Sequence, residues 1–162
     1  MNKTTLLKLA LAVVLLGGAG FLFARFLKQD RGVGEQEYFY DLSEQKLFAA
    51  PRESLPPIRG INDAAEDGVR AVVIASGNNP DNKAARRIAY LEKYAPELKQ
   101  HLEKVRAGEA EPLPTKVRNG YRLVKRVEDE TWHPLNTPQG EKILTEWNVA
   151  GPDGAYPVVC SP

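Results

Sequence analysis

Hydrophobic and polar positions follow three rhythms along this chain, and each predicts a different kind of element. The first has no alternation at all. Leu9 to Ala24 is an unbroken apolar run of sixteen residues, with Lys3 and Lys8 before it and Arg25 and Lys28 after it. A helix from about Leu6 to Leu27 would span a hydrocarbon core of roughly 30 Å, with Lys8 and Arg25 snorkelling toward the interfaces. This predicts a single-pass transmembrane helix. The second rhythm has period two: Glu37-Tyr-Phe-Tyr-Asp41 sets aromatic side chains on alternate faces, Leu42 to Gln45 can turn, and Lys46-Leu-Phe-Ala-Ala50 returns before Pro51. The expected element is a β-hairpin packing a core. The third steps by three and four: Ile88, Leu91, Ala95, Leu98, Leu102 and Val105 mark one helical face, with Asp81 or Asn82 as its cap. Pro96 falls inside that stripe and predicts a kink or two helices meeting near Tyr94.

Between these stretches, Gly68-Val-Arg-Ala-Val-Val-Ile-Ala-Ser76 holds a continuous apolar run that suits a central strand buried on both faces. Gly108 ends the helical pattern, and Asn119-Gly120 between Thr115-Lys-Val-Arg118 and Tyr121 to Val127 predicts a type I′ hairpin. Thr131-Trp-His133 would add another antiparallel strand. Thr137 and Pro138 open a short helix whose apolar face is Ile143, Leu144 and Trp147. The ending GPDGAYPVVCSP is rich in turn residues and reads as an irregular tail. The fold class is therefore α+β: a transmembrane segment within residues 1–31, then one small domain over residues 32–162. That domain has an antiparallel or mixed sheet, a long helix and a short C-terminal helix.

Composition narrows function mainly by exclusion. The chain has 22 basic and 21 acidic residues. Setting aside Lys3, Lys8 and Arg25 leaves the remainder slightly acidic, which does not suggest a nucleic-acid footprint. Cys160 is the single cysteine, so no internal disulfide and no Cys-based zinc site can form. With His101 and His133 as the only histidines, no metal or cofactor site is expected. Unpaired in an oxidising compartment, Cys160 is a candidate for an intermolecular disulfide, and with it a homo-oligomer, or else a buried thiol.

Processing signals refine the apolar run. A lipoprotein signal needs a cysteine just after the run, and a pilin-type signal needs a glutamate where Arg25 stands. Two fates remain: an uncleaved signal-anchor stopped by Arg25, or a signal peptide cleaved after Gly20, with small residues at Gly18 and Gly20. The flanking charges nearly balance. A short basic tail before the first apolar segment favours an inside amino terminus and a periplasmic or extracellular domain. Gly20 and Ala24 form a small-xxx-small pair that permits close helix packing, although small residues are commonly just tolerated in such helices.

Only one turn attracts attention as a site. Ser76, Asn78, Asn79 and Asp81 cluster after the buried strand and before the expected helix, where backbone amides would hold an anion. The segment is neither a GxSxG elbow nor a phosphate loop, and a strand-to-helix turn needs such residues anyway. Nothing around His101 or His133 marks a general base, so no catalytic residue is assigned.

The hairpin YFYDL with KLFAAP, the strand GVRAVVIAS before AYLEKYAPE, and the ending TWHPLNTPQGEKIL followed by GPDG and Cys160 resemble an uncharacterised family of bacterial exported or membrane-anchored proteins. The resemblance covers most of the chain after the anchor and implies no activity or catalytic residues. The expected function is that of an accessory, assembly or interaction subunit in the bacterial envelope, with the bilayer and a protein as partners. The alternative is an exported ligand-binding or hydrolytic domain using the turn from Ser76 to Asp81.

Overall fold

The computed structural model describes residues 18, 20, 35–62, 65–77 and 79–162. Contacts divide the chain into residues 1–34 and residues 35–162. The expected anchor lies outside the described residues except for Gly18 and Gly20, which are helical and exposed. Ala24 and Asn78 also lie outside them. Among the described residues, no helix is long and apolar enough to cross a membrane.

Residues 35–162 build an α+β fold on one antiparallel sheet. Its strands are β1 (Gln36–Asp41), β2 (Lys46–Pro51), β3 (Gly68–Ala75), β4 (Arg87–Tyr94), β5 (Arg122–Lys125), β6 (His133–Pro134) and β7 (Val158–Val159). The order across the sheet is β2-β1-β3-β4-β5-β6, with β7 also paired to β3. Three helices accompany it: α1 (Pro96–Arg106), α2 (Thr115–Gly120) and α3 (Pro138–Thr145).

The aromatic hairpin forms as its alternation predicts, with Phe39 opposite Phe48. Phe39 is fully buried, whereas Tyr38 and Tyr40 point to the other face and are half-buried. Asp41 fixes the turn. One carboxylate oxygen accepts from the Ser43 and Glu44 backbone N–H groups (3.0 and 2.8 Å) and from the Ser43 hydroxyl, and the other from the Ile61 N–H (2.6 Å). These bonds, first that from Glu44, hold the Asp41 carboxyl below its ordinary range against the opposing effect of burial. A carboxyl depressed in the folded state stabilises fully above its unfolded value of about 3.9, and that contribution is lost as pH falls through the lower folded value. Asp41→Asn is accordingly expected to lower stability at neutral pH and to flatten the acid limb of the stability curve. Urea unfolding across a pH series measures both effects.

The central strand β3 is buried along almost its whole length, as its apolar run requires. Its neighbour β4 overturns an expectation. Residues 82–94 do not continue a helix: a three-residue 3₁₀ turn, Lys83–Ala85, precedes a strand, and helix begins only at Pro96. The long, kinked helix is thus replaced by a strand followed by an eleven-residue helix. Tyr90, Leu91 and Glu92 are consecutive and all buried. A strand covered on both faces loses the period-two signal, and a bulge opposite Val72 and Val73 shifts the register further. The second half of the stripe is helical as expected, with Pro96 and Glu97 in the first turn and Leu98 buried. Gly108, at φ +74°, follows its end.

The Asn119-Gly120 hairpin is also corrected. Thr115–Gly120 is a short helix, because both edges of β5 are already taken, by β4 and by β6. The expected strand around Trp132 reduces to His133–Pro134. The C-terminal helix forms as predicted: Thr137 Oγ1 accepts from the Gly140 N–H, and Ile143 is buried.

Two clusters fill the interior. Val69, Ala71, Val73 and Leu91 form one, with Tyr38, Tyr40, Trp132 and Cys160 packed around them and no residue of α1, α2 or α3 taking part. Tyr90, Val124, Leu135 and Ile143 form the other, where Leu144 and Trp147 of the α3 region cover the sheet. The second face also carries a charged row across the strands. Arg70 lies 2.8 Å from a Glu37 oxygen, off the line of a hydrogen bond, and Arg122 grips Glu92 with two bonds of 2.7 and 3.1 Å.

Candidate functional site

The C-terminal segment, expected to be irregular, returns to the middle of the sheet. On one side of β3, β4 pairs along Arg70 to Ile74. On the opposite edge, β1 pairs with Gly68 to Arg70 and β7 with Ile74 and Ala75. β7 therefore extends the lane of β1 and completes an edge that the short β1 leaves open. The Cys160 N–H donates to the Val73 carbonyl at 2.8 Å, and Arg86 donates to both the Tyr38 hydroxyl (2.8 Å) and the Ser161 carbonyl (3.1 Å).

Turn chemistry explains the path of the segment. Gly151 donates to Ala155, Gly154 to Gly151, and the Ala155 N–H to Asp153 Oδ1. Gly154 sits at φ +75° in this turn. Gly77 lies against the Tyr156 carbonyl so closely that an added Cβ would overlap it. The approach of the segment to the end of β3 thus depends on a missing side chain.

A cavity of about 260 Å³ opens between this segment and the end of β3. Ser76, Ala85 and Arg87 line one side, and Val149, Pro152 and Asp153 the other. Of the described residues singled out from sequence for this turn, Ser76 is the one that reaches the cavity. Asn79 is exposed and makes a turn, its N–H donating to the Ser76 carbonyl at 3.0 Å. Asp81 is exposed and does not line the cavity. The helix amino terminus expected to add anion affinity is replaced by the turn at Lys83–Ala85, whose Ala84 N–H is already accepted by Asn82 Oδ1. Three residues supply almost no macrodipole. Arg87 and the C-terminal segment had no signal near Ser76 in the sequence; the one hint was the β-branched pair Val158-Val159.

His101 is held on α1 with Nε2 2.9 Å from the Glu111 carbonyl, and His133 lies on β6, so neither lines the Ser76 cavity. Among the described residues no group of three or more His, Cys, Asp or Glu side chains converges in a way that could hold a metal ion. Cys160 is a free, half-buried thiol against the first core cluster. Gly20 is helical, and a Cβ built on it would meet no atom of the described residues within 4 Å.

The same segment concentrates exposed apolar surface. Val149, Tyr156 and Val159 are each more than 60% exposed, at 64, 61 and 62%. Among the described residues β7 pairs with β3 alone. No family model, no curated protein and no solved structure matches the chain.

Proposed function

We propose that this chain is a single-pass, membrane-anchored binding subunit of a bacterial envelope complex, acting by protein contact from the periplasmic or extracellular side. The observation that carries the binding part is the C-terminal segment, where Tyr156 and Val159 stand exposed, Val159 on β7 itself, whose second edge has no partner among the described residues. Exposed apolar side chains concentrated on one segment suit an interaction surface, and a free strand edge offers backbone groups to an added strand. The occupant that fits is an extended segment of a partner protein. Envelope placement is supported by the apolar run Leu9 to Ala24 and by the resemblance to exported bacterial proteins. Anchoring would raise the effective concentration toward a partner in the same membrane. If cleavage after Gly20 occurs instead, the intact mass of the mature chain reveals a secreted protein.

Photo-crosslinking in intact cells tests the surface. A crosslinker at position 159 is expected to give a discrete adduct that Tyr156→Ser weakens. The same crosslinker at position 117, an exposed valine of α2, gives none. Equal adducts at both positions, or none at 159, overturn the reading, and an adduct of twice the chain mass identifies a homo-oligomer. The competing reading, a ligand-binding or hydrolytic domain, is favoured by the cavity beside Ser76. Replacing Ser76 would select it if a ligand-induced melting shift disappeared while the fold remained.

A further inference from the structure

A second cleft lies away from the C-terminal segment, between α1, α2 and β5. Its volume is about 370 Å³. Leu55, Leu102 and Val105 give it an apolar wall, and Tyr94 an aromatic one. Its other lining residues are Arg106, Arg118 and Arg122, and no acidic side chain lines it.

The three guanidiniums differ in how far their donors are used. Arg122 spends Nε and Nη2 on Glu92. Arg106 donates Nη2 to the Glu53 carbonyl. Arg118, half-buried on α2, makes no side-chain hydrogen bond among the described residues. A guanidinium carries five N–H donors in a planar fork that matches carboxylate and phosphate oxygens. Three such groups at one cleft repel one another, and the Glu92 carboxylate beside it is already committed to Arg122. Positive potential focused into a partly apolar cleft recruits an anion.

We propose that this cleft binds a small organic anion, a phosphate or carboxylate carried on an apolar body. The anionic group sits on the Arg118 fork, and the apolar body lies against Leu55, Leu102 and Val105. The site is independent of the protein-contact surface at β7. Because guanidinium remains charged throughout the accessible pH range, binding weakens with added salt, and any pH dependence follows the ionisation of the ligand.

Phenyl phosphate, benzoate and inorganic phosphate titrated into the full chain in a non-ionic detergent test this by calorimetry. Phenyl phosphate is expected to bind saturably and about tenfold tighter than inorganic phosphate, since burying its ring adds a hydrophobic contribution. Benzoate against phenyl phosphate tells a carboxylate site from a phosphate site. Arg118→Gln should weaken phenyl phosphate about tenfold or more by removing a charge-assisted fork. Arg118→Lys, which keeps the charge and the helix, should recover only part of that loss. Arg87→Gln, at the other cavity, should change nothing. Absence of saturation, an unchanged affinity in Arg118→Gln, or equal weakening by Arg87→Gln overturns the proposal. A poorly folded Arg118→Gln leaves the Arg118→Lys comparison to decide it.

Discussion

Replacing Arg122 with methionine destabilises the fold by about 3–5 kcal/mol, the cost of stripping the partner from a buried charge. Glu92 is 3% exposed at the centre of β4, and its carboxylate takes two bonds from Arg122 on the adjacent strand. The carboxylate in turn holds the Arg122 pKa above its ordinary value, chiefly through that side-chain hydrogen bond. With the guanidinium gone, the Glu92 carboxylate stays buried in β4 and loses both of the bonds that Arg122 gave it. The double variant Glu92→Met with Arg122→Met is expected to recover most of the loss, because a buried ion pair gains little over well-packed apolar side chains. Chemical denaturation of the two single variants and the double variant provides the cycle. Additive losses would show that Glu92 and Arg122 act separately.

Leu91→Ala is expected to cost about 2–5 kcal/mol, the range for truncating a fully buried leucine. Leu91 is wholly buried and packs with Val69, Ala71 and Val73 in the middle of the sheet. Leu102→Ala, by contrast, should cost clearly less, because Leu102 is half-buried on α1 at the edge of the arginine cleft. The sequence puts both leucines on one helical stripe, where truncation of either would be felt alike. Unequal losses therefore distinguish a strand followed by a helix from a continuous helix. Equal losses would contradict the burial seen here.

The two predictions separate what could be read locally from what could not. Where an element's pattern was set by its own neighbours, it was legible. The hairpin β1–β2 has turn residues between alternating faces, Gly68 to Ala75 is apolar enough to be central, and Thr137-Pro138 caps α3 from within three residues. Where pairing partners decided, local pattern misled. Residues 87–94 form a strand because β3 and β5 lie on either side, and burial on both faces erased the alternation that would have identified it. Asn119-Gly120 closes a helix because β5 had no free edge for a hairpin partner.

The candidate sites divide in the same way. The sequence determined that the chain carries an apolar anchor-length run, that one thiol is all it has, and that no recognisable catalytic motif follows. It also determined that Ser76 would stand at the end of a buried strand. Only the tertiary structure decided that β7 returns to cover that strand, that Arg87 faces Asp153 across a cavity with Ser76, and that Arg106, Arg118 and Arg122 share a cleft. The physical reason is range. Caps, turns and apolar runs act within a few residues of chain, whereas strand pairing, burial and the convergence of charges depend on which distant segments the fold brings together.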